Sequence, residues 1–316
     1  MPHAPQYVGQ IICGDALSVL RELPPESVDC VVTSPPYWSL RDYGVEGQLG
    51  LEDSLDQYLT KLLAVFDEVR RVLKEKGTCW VNLGDAYSTR SSRKGTRQPA
   101  LSAASSKAPR FLRPPAPAHL PPKCLLQMPS RFALGMTDRG WTLRNEIIWH
   151  KPNCMPQSAR DRFTIDFEKL FFFVKSRRYH FTQQFEPLRD ARRLSHRLIN
   201  PERVRKRTYG DPLVAALNPK SAERSRRRML ARGRNKRCVW RISPRPFYGG
   251  HFAVYPEALI ETPILAGCPE GGIVLDPFSG SGTTALVARR LRRRFIGIDL
   301  NPEYVRMSRE RLANAA

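Results

Sequence analysis

The 316-residue sequence has no uninterrupted apolar run of about 18 residues, the length a membrane-crossing helix needs, and no charged-then-apolar leader. A protein that neither spans a membrane nor is secreted is expected. Cysteine is too sparse and scattered to build a scaffold. The seven residues (Cys13, Cys30, Cys79, Cys124, Cys154, Cys238 and Cys268) are odd in number, and no pair has CxxC spacing. That disfavours a disulfide framework and a structural zinc site, so no metal is expected and a reduced cytosol is the expected compartment.

Acidic residues are the next scarcity, and their distribution is uneven. The chain carries 52 Lys and Arg against 30 Asp and Glu, a net charge of +22. Residues 86–123 hold eight basic and no acidic residues, and residues 181–245 hold 19 basic and five acidic. Elsewhere there are 25 of each sign. A general arginine bias would raise the charge everywhere. Its confinement to two segments points instead to a bound polyanion, whose phosphates such side chains neutralise with release of counterions.

The length suffices for one large α/β domain with an insertion, or for two domains. Val28-Asp-Cys-Val-Val32 reads as a buried strand that stops at Thr33 and two prolines. From Leu55 to Leu73 the residues Leu59, Leu62, Leu63, Phe66 and Val69 recur at helical spacing, with Ser54 as N-cap and Gly77 closing the unit. Thr78–Leu83 is then a strand, and strand, long crossover, strand is the signature of a parallel sheet. Residues 86–123, rich in Ser, Arg and Pro, read as a long mobile loop. A helix near 129–138 and strands at Leu143–His150 and Lys169–Lys175 follow. Residues 181–245 show no clear sheet pattern and read as an inserted recognition region. Ile273–Asp276 and Arg294–Asp299 are strands, with helices at Gly282–Leu291 and Pro302–Leu312.

Two loops carry chemistry. In Ile273-Val-Leu-Asp-Pro-Phe-Ser-Gly-Ser-Gly-Thr-Thr284 a strand runs through a glycine turn into a helix. Gly280 and Gly282 allow close approach of a ligand, and the helix start offers N–H groups to an anion. No Lys precedes Thr283, which disfavours a nucleotide P-loop, and the third glycine of a dinucleotide fingerprint is missing. Asp299, 17 residues beyond Gly282 at the end of the next strand, can accept from ribose hydroxyls. Together these favour a cofactor containing adenosine. The second loop is Ser34-Pro35-Pro36-Tyr37. Its prolines remove two N–H donors and leave carbonyls to accept from a substrate amino group. Ser34 adds an acceptor and Tyr37 an aromatic face on which a base can stack.

These two motifs, Ser-Pro-Pro-Tyr and Asp-Pro-Phe-x-Gly-Ser-Gly-Thr-Thr, resemble those of the amino-group DNA methyltransferases, particularly the N4-cytosine type. The tetrad precedes the cofactor loop with the basic region between, which is similar to the permuted "beta" order of that family. Gly14-Asp15, Tyr37–Tyr43, Asn145–Asn153, Glu168–Tyr179, His251–Pro256 and Asn301–Tyr304 also resemble family segments.

The resemblance implies an α/β fold: a Rossmann-like, mostly parallel methyltransferase sheet with an inserted basic DNA-recognition region. It divides the chain into a catalytic part at 1–180, a recognition insert at 181–248 and a cofactor-binding part at 249–316. It implies S-adenosylmethionine as cofactor, with Phe278, Ser279, Gly280, Gly282 and Thr283 around its methionine part and Asp276 among the residues that bind it. Asp299 would take the ribose, His251, Phe252 and Pro256 would pack beside the cofactor, and Asp15 would lie near the adenine. Ser34, Pro35, Pro36 and Tyr37 would grip the target base of double-stranded DNA. A homodimer, a companion restriction endonuclease and a nucleoid-associated life in a prokaryotic cytoplasm belong to the same implication. A cytosine-C5 enzyme would need a nucleophilic cysteine after proline, and no cysteine here follows one. The remaining alternatives are an adenine-N6 enzyme, an enzyme acting on RNA or protein, and a catalytically silent DNA-binding protein of the same fold.

Overall fold

The computed structural model describes residues 6–89, 110–111, 117, 119–188, 219–244 and 255–315. The chain divides into two compact units, Met1–Thr182 with Cys238–Ala316, and Gln183–Arg237. The larger unit begins with β1 (Gln10–Cys13), α1 (Ala16–Glu22), β2 (Val28–Thr33), β3 (Arg41–Asp42), α2 (Leu55–Val72) and β4 (Leu73–Leu83). It continues through β5 (Arg110–Phe111), α3 (Met128–Asp138), β6 (Thr142–His150) and β7 (Phe167–Val174). The smaller unit contains β8 (Phe185–Glu186), α4 (Pro219–Arg232) and β9 (Arg234–Asn235). The larger then resumes with β10 (Val239–Arg241), α5 (Glu257–Gly267), β11 (Ile273–Asp276), α6 (Thr283–Arg290), β12 (Arg294–Asp299) and α7 (Pro302–Asn314).

An eight-stranded sheet, ordered β1-β12-β11-β2-β4-β7-β6-β10, organises the larger unit. Every pairing in it is parallel except the two made by β7, which runs against both neighbours. The expected mostly parallel Rossmann-like sheet is therefore present. Helices cover both faces. On β7, Phe171 and Phe173 pack into one core with α1, α2 and α3, while Leu170, Phe172 and Val174 pack into another with α5, α6 and α7. Burial on both faces explains why Leu170–Val174 is an unbroken apolar run rather than an alternation.

Local chemistry starts and stops these elements. Ser54 accepts from the Gln57 amide and caps α2, whose buried face is Leu55, Tyr58, Leu62, Leu63, Val65, Phe66, Val69 and Val72. Gly77, expected to end this helix, lies inside β4 instead. The helix stops at Val72, and Leu73 already pairs with Val28 across an irregular register. A Cβ at Gly77 would lie 2.6 Å from Leu73 and 3.0 Å from the Asp29 carbonyl, so glycine permits that folded-back start of the strand.

The basic stretches differ from expectation in detail. The ends of 86–123 are clamped together, the Ser88 amide donating to Cys124 and the Lys123 amide to Ser88, each at 2.9 Å. Most of the interior of this stretch, expected to be mobile, lies outside the described residues. Within 181–245, β10 belongs to the central sheet and not to an insert: Val239, Trp240 and Arg241 pair in parallel with Ile148, Trp149 and His150. Three residues with a single buried side chain, Trp240, leave no readable periodicity.

The core beneath the sheet centres on Phe132 of α3, which is fully buried and meets the rings of Phe66 and Phe173 edge-on at 5.0 and 6.1 Å. Phe132→Ala is expected to cost about 3–5 kcal/mol of unfolding free energy, measurable by urea titration. A loss below about 1 kcal/mol would show that this core collapses to fill the cavity.

Candidate active site

In a parallel sheet the loops after the strands gather at one edge. Here that edge holds an open cleft of about 1220 Å³. A small-molecule site usually fills ~300–1,000 Å³, so this cleft has room for a second ligand beside the first. The tetrad lies at the end of β2, the 277–283 loop at the end of β11, and Asp299 at the end of β12, all lining the same cleft.

Asp276 holds these loops in register. It is buried, and its Oδ1 accepts from Thr33 Oγ1 at 2.6 Å and from the Phe278 amide at 3.1 Å. Its Oδ2 accepts from Tyr255 OH at 2.9 Å and Thr284 Oγ1 at 2.5 Å. Burial pushes this carboxyl above the ordinary carboxylate range, while hydrogen bonds from Thr284, Thr33, Phe278 and Tyr255 pull it back. The residue stands behind the 277–283 loop and does not line the cleft, contrary to its expected place among the cofactor-binding residues.

The tetrad is tied on several sides. Tyr58 donates to the Pro36 carbonyl at 2.7 Å, and Trp38 donates to the Glu52 carbonyl at 2.9 Å. No hydrogen bond among the described residues reaches the Pro35 carbonyl. The Tyr37 hydroxyl donates to Glu168 Oε2 at 2.8 Å and lies 3.4 Å from both Ser34 Oγ and Asn82 Oδ1. Burial, and then the Glu168 charge, hold the Tyr37 phenol well above its ordinary pKa, so it stays a neutral donor. Glu168 in turn pairs through Oε1 with Lys151, whose ammonium sits 4.3 Å from the centre of the Trp149 ring. Glu168 reaches the tetrad because β7 runs antiparallel, which brings its first residues to the edge where the other strands end.

On the other side of the cleft, the Ser279 amide donates to Ile298 O at 2.8 Å and the Gly280 amide to Asp299 Oδ2 at 2.7 Å. Gly282 caps α6 at φ +76°, where an added Cβ would also lie 2.9 Å from Ser308, so the turn requires glycine. The Ser279 hydroxyl is buried and has no hydrogen-bond partner among the described residues. That hydroxyl faces β12, where a Cβ at Gly297 would lie 2.7 Å from it, so the loop presents its backbone to the cleft. Asp299 has a second bond, from the Asn301 amide at 2.8 Å, and burial raises its carboxyl to about 6.

Of the residues singled out from sequence, Ser34, Pro35, Pro36, Tyr37, Phe278, Ser279, Gly280, Thr283, Asp299 and Asp15 all line the cleft. Asp15 also caps α1, accepting from the Ser18 amide at 2.9 Å. Pro256 is buried as the N-cap of α5, and the neighbouring Tyr255 lines the cleft in its place. His251 and Phe252 lie outside the described residues. Glu168, Lys151, Asn82, Gly84, Tyr43 and Tyr304 also line the cleft, and sequence reasoning assigned them no role.

A Rossmann-like sheet with one loop suited to a nucleoside cofactor and another to a planar amino-bearing substrate defines a group-transfer enzyme of the α/β class. The DNA methylase family matches residues 28–310, and the chain belongs to this family of N6- and N4-amino methyltransferases. It is 42% identical over 302 residues to the Type II methyltransferase M.Cfr9I of Citrobacter freundii, covering 95% of this chain and 86% of that one. Among solved structures, the PvuII DNA methyltransferase, described as cytosine-N4-specific, superposes with a TM-score of 0.59 at 19% identity, over 98% of this chain and 91% of that one. TTHA0409 of Thermus thermophilus, described as a DNA modification methylase and solved with S-adenosyl-L-methionine, gives 0.56 at 24% identity over 98% and 94%.

Gly84 tests the tetrad's support. A Cβ there would lie 2.6 Å from Tyr37 Cε2 and 3.4 Å from the Glu168 carboxyl carbon. Gly84→Ala should displace the Tyr37 ring and slow methyl transfer by roughly 100-fold, the scale of a 1 Å misplacement, with the thermal midpoint near wild type. An unchanged rate in a single-turnover assay would show that the ring position is not needed.

Proposed function

We propose that this protein transfers a methyl group from S-adenosylmethionine to the exocyclic N4 of cytosine in double-stranded DNA, as the modification enzyme of a restriction–modification system. In this reading residues Gln183–Arg237 form most of the DNA-recognition part. One observation carries the proposal. A Ser-Pro-Pro-Tyr loop and the glycine turn that follows β11 open onto one cleft, fastened to each other through Asp276. The choice of cytosine rests on Ser34, where adenine enzymes of the family more usually carry Asp or Asn.

S-adenosylmethionine, when bound, supplies an activated methyl group. The N–H groups at the start of α6 would meet its carboxylate, and Asp299 would accept from its ribose. The target base leaves the duplex at a cost of roughly a few kcal/mol. Stacking on Tyr37 offsets part of this, at about 1–3 kcal/mol per base. Ser34 Oγ and the Pro35 carbonyl accept from the amino group and turn its lone pair toward the cofactor loop. Glu168 and Asn82 anchor the Tyr37 hydroxyl, so the ring is oriented before the base arrives. Positioning of this kind can supply about 7–11 kcal/mol of a barrier reduction.

Mass spectrometry of nucleosides from DNA of cells expressing the protein should detect N4-methylcytosine, and sequencing of modified bases should place it in one site. N6-methyladenine would overturn the choice of base, and unmodified DNA would overturn the enzyme.

Asp299 gives a pH dependence. Its carboxyl, raised by burial to about 6 in the ligand-free protein, accepts from two ribose hydroxyls best when ionised, so binding favours that form. Below about pH 6 binding therefore has to expel a proton, and affinity should fall by about tenfold per pH unit; above it affinity should be level. Calorimetry would check this, and Asp299→Asn should bind more weakly with the low-pH fall removed.

A further inference from the structure

The 152–166 loop joins β6 to β7 and so lies at the edge of the sheet that carries the cleft. Its stem is pinned: the Lys151 amide donates to Asp166 O at 2.7 Å, and His150 Nε2 lies 3.4 Å from Asp166 Oδ2. Its inner side is part of the cleft wall, through Met155, Gln157 and Ile165. Its outer turn is braced as well. Arg162 donates to Gln157 Oε1 at 2.6 Å and packs its guanidinium 4.0 Å from the Tyr87 ring centre, and Lys123 pairs with Asp161 at 2.6 Å. Next to Arg162 on this held turn, Phe163 is 96% exposed.

A lone exposed apolar side chain is ordinary on a protein surface, but this one stands on a braced loop beside the cleft. Phe163 is two residues from Ile165 in the cleft wall, a separation of at most about 7 Å along the chain. Arg160 and Lys123 near it are exposed, which suits a polyanion. The target base must leave its stack to enter the cleft, and apolar wedges are what proteins insert between base steps to unstack them.

We propose that Phe163 inserts into the DNA duplex beside the target base and holds open the gap it vacates, with the partner being the stacked bases flanking the target. This rests on the proposed extraction of a base into the cleft. Phe163 touches none of the groups assigned to cofactor or amino-group binding, and truncating so exposed a side chain leaves the core intact.

The test uses the full-length protein and a duplex containing the site mapped by modified-base sequencing, with 2-aminopurine next to the target. Phe163→Ala should reduce the fluorescence rise on binding at least fivefold and lower kcat/KM at least tenfold. Affinity for S-adenosylmethionine and the unfolding midpoint should match wild type. A mismatch opposite the target, which lowers the cost of extraction, should restore most of the lost rate, and Phe163→Leu should fall between. If Phe163→Ala unstacks and methylates like wild type, or its deficit persists undiminished on mismatched DNA, the wedge is overturned. If the wild-type protein modifies no DNA, the underlying function fails instead.

Discussion

The site depends on one buried carboxylate. Asp276 ends β11 and fastens Thr33 at the end of β2, Thr284 in the first turn of α6, Tyr255 just before α5, and the amide of its own loop at Phe278. Two of these ties bear on the reaction: one precedes the tetrad by a single residue, and one shapes the cofactor loop. In the proposed function donor and acceptor need a fixed separation, and hydrogen bonds to one group join the two loops that would set it. Burial makes the arrangement costly unless it is complete, because a carboxylate out of water has to be satisfied at each lone pair. Three of the partners are side-chain hydroxyls and the fourth is a backbone amide, so loss of any one leaves a lone pair unsatisfied as well as a loop loosened.

The second organising feature is strand direction. With every neighbour parallel, the start of β7 would lie at the far edge of the sheet, distant from Ser34. Because β7 is antiparallel, Glu168 and Phe167 enter where the other strands leave. The Tyr37 hydroxyl thereby gains a charged acceptor, with Lys151 after β6 neutralising it. In the proposed function the Tyr37 ring that stacks on the base is held through its own hydroxyl.

Much of this was legible where function is written in contiguous residues. The β11 loop and α6, the Asp299 strand, the Ser54 cap and the tetrad each combine a local pattern with a local physical need. Glu168 is different: it is 131 residues from Tyr37, and an apolar run buried on both faces has no periodicity from which strand direction could be read. Tyr58 was hidden in another way. Its place on the buried face of α2 follows from helical spacing, but the hydrogen bond from its hydroxyl to Pro36 does not. Gly77 misled because glycine ends helices and also relieves crowding in strands, and only the Leu73 contact distinguishes the two. The segments Tyr37–Tyr43 and Asn301–Tyr304 were recognisable, yet the edge-on pair of Tyr43 and Tyr304 rings, 6.1 Å apart, needed coordinates.

Charge completes the argument. Gln183–Arg237 carries 17 Lys and Arg against five Asp and Glu, so most of the basic excess lies in a unit that folds around its own contacts. One of its few acids, Glu186, accepts from Arg234 at 2.6 Å and Arg237 at 2.7 Å and so holds the ends of this unit together. On α4, Arg224, Arg228 and Arg232 recur every fourth residue and are exposed, which puts three guanidinium groups on one face. In the proposed function this divides the work. Phosphate contacts from such a face supply affinity and its salt dependence, while the catalytic unit, with 35 Lys and Arg against 25 Asp and Glu, meets the DNA at the extracted base. Changes in the arginine unit should then alter how tightly and where DNA is held without altering the chemistry at Ser34. That separation would let target sequences diverge on an unchanged pair of catalytic loops.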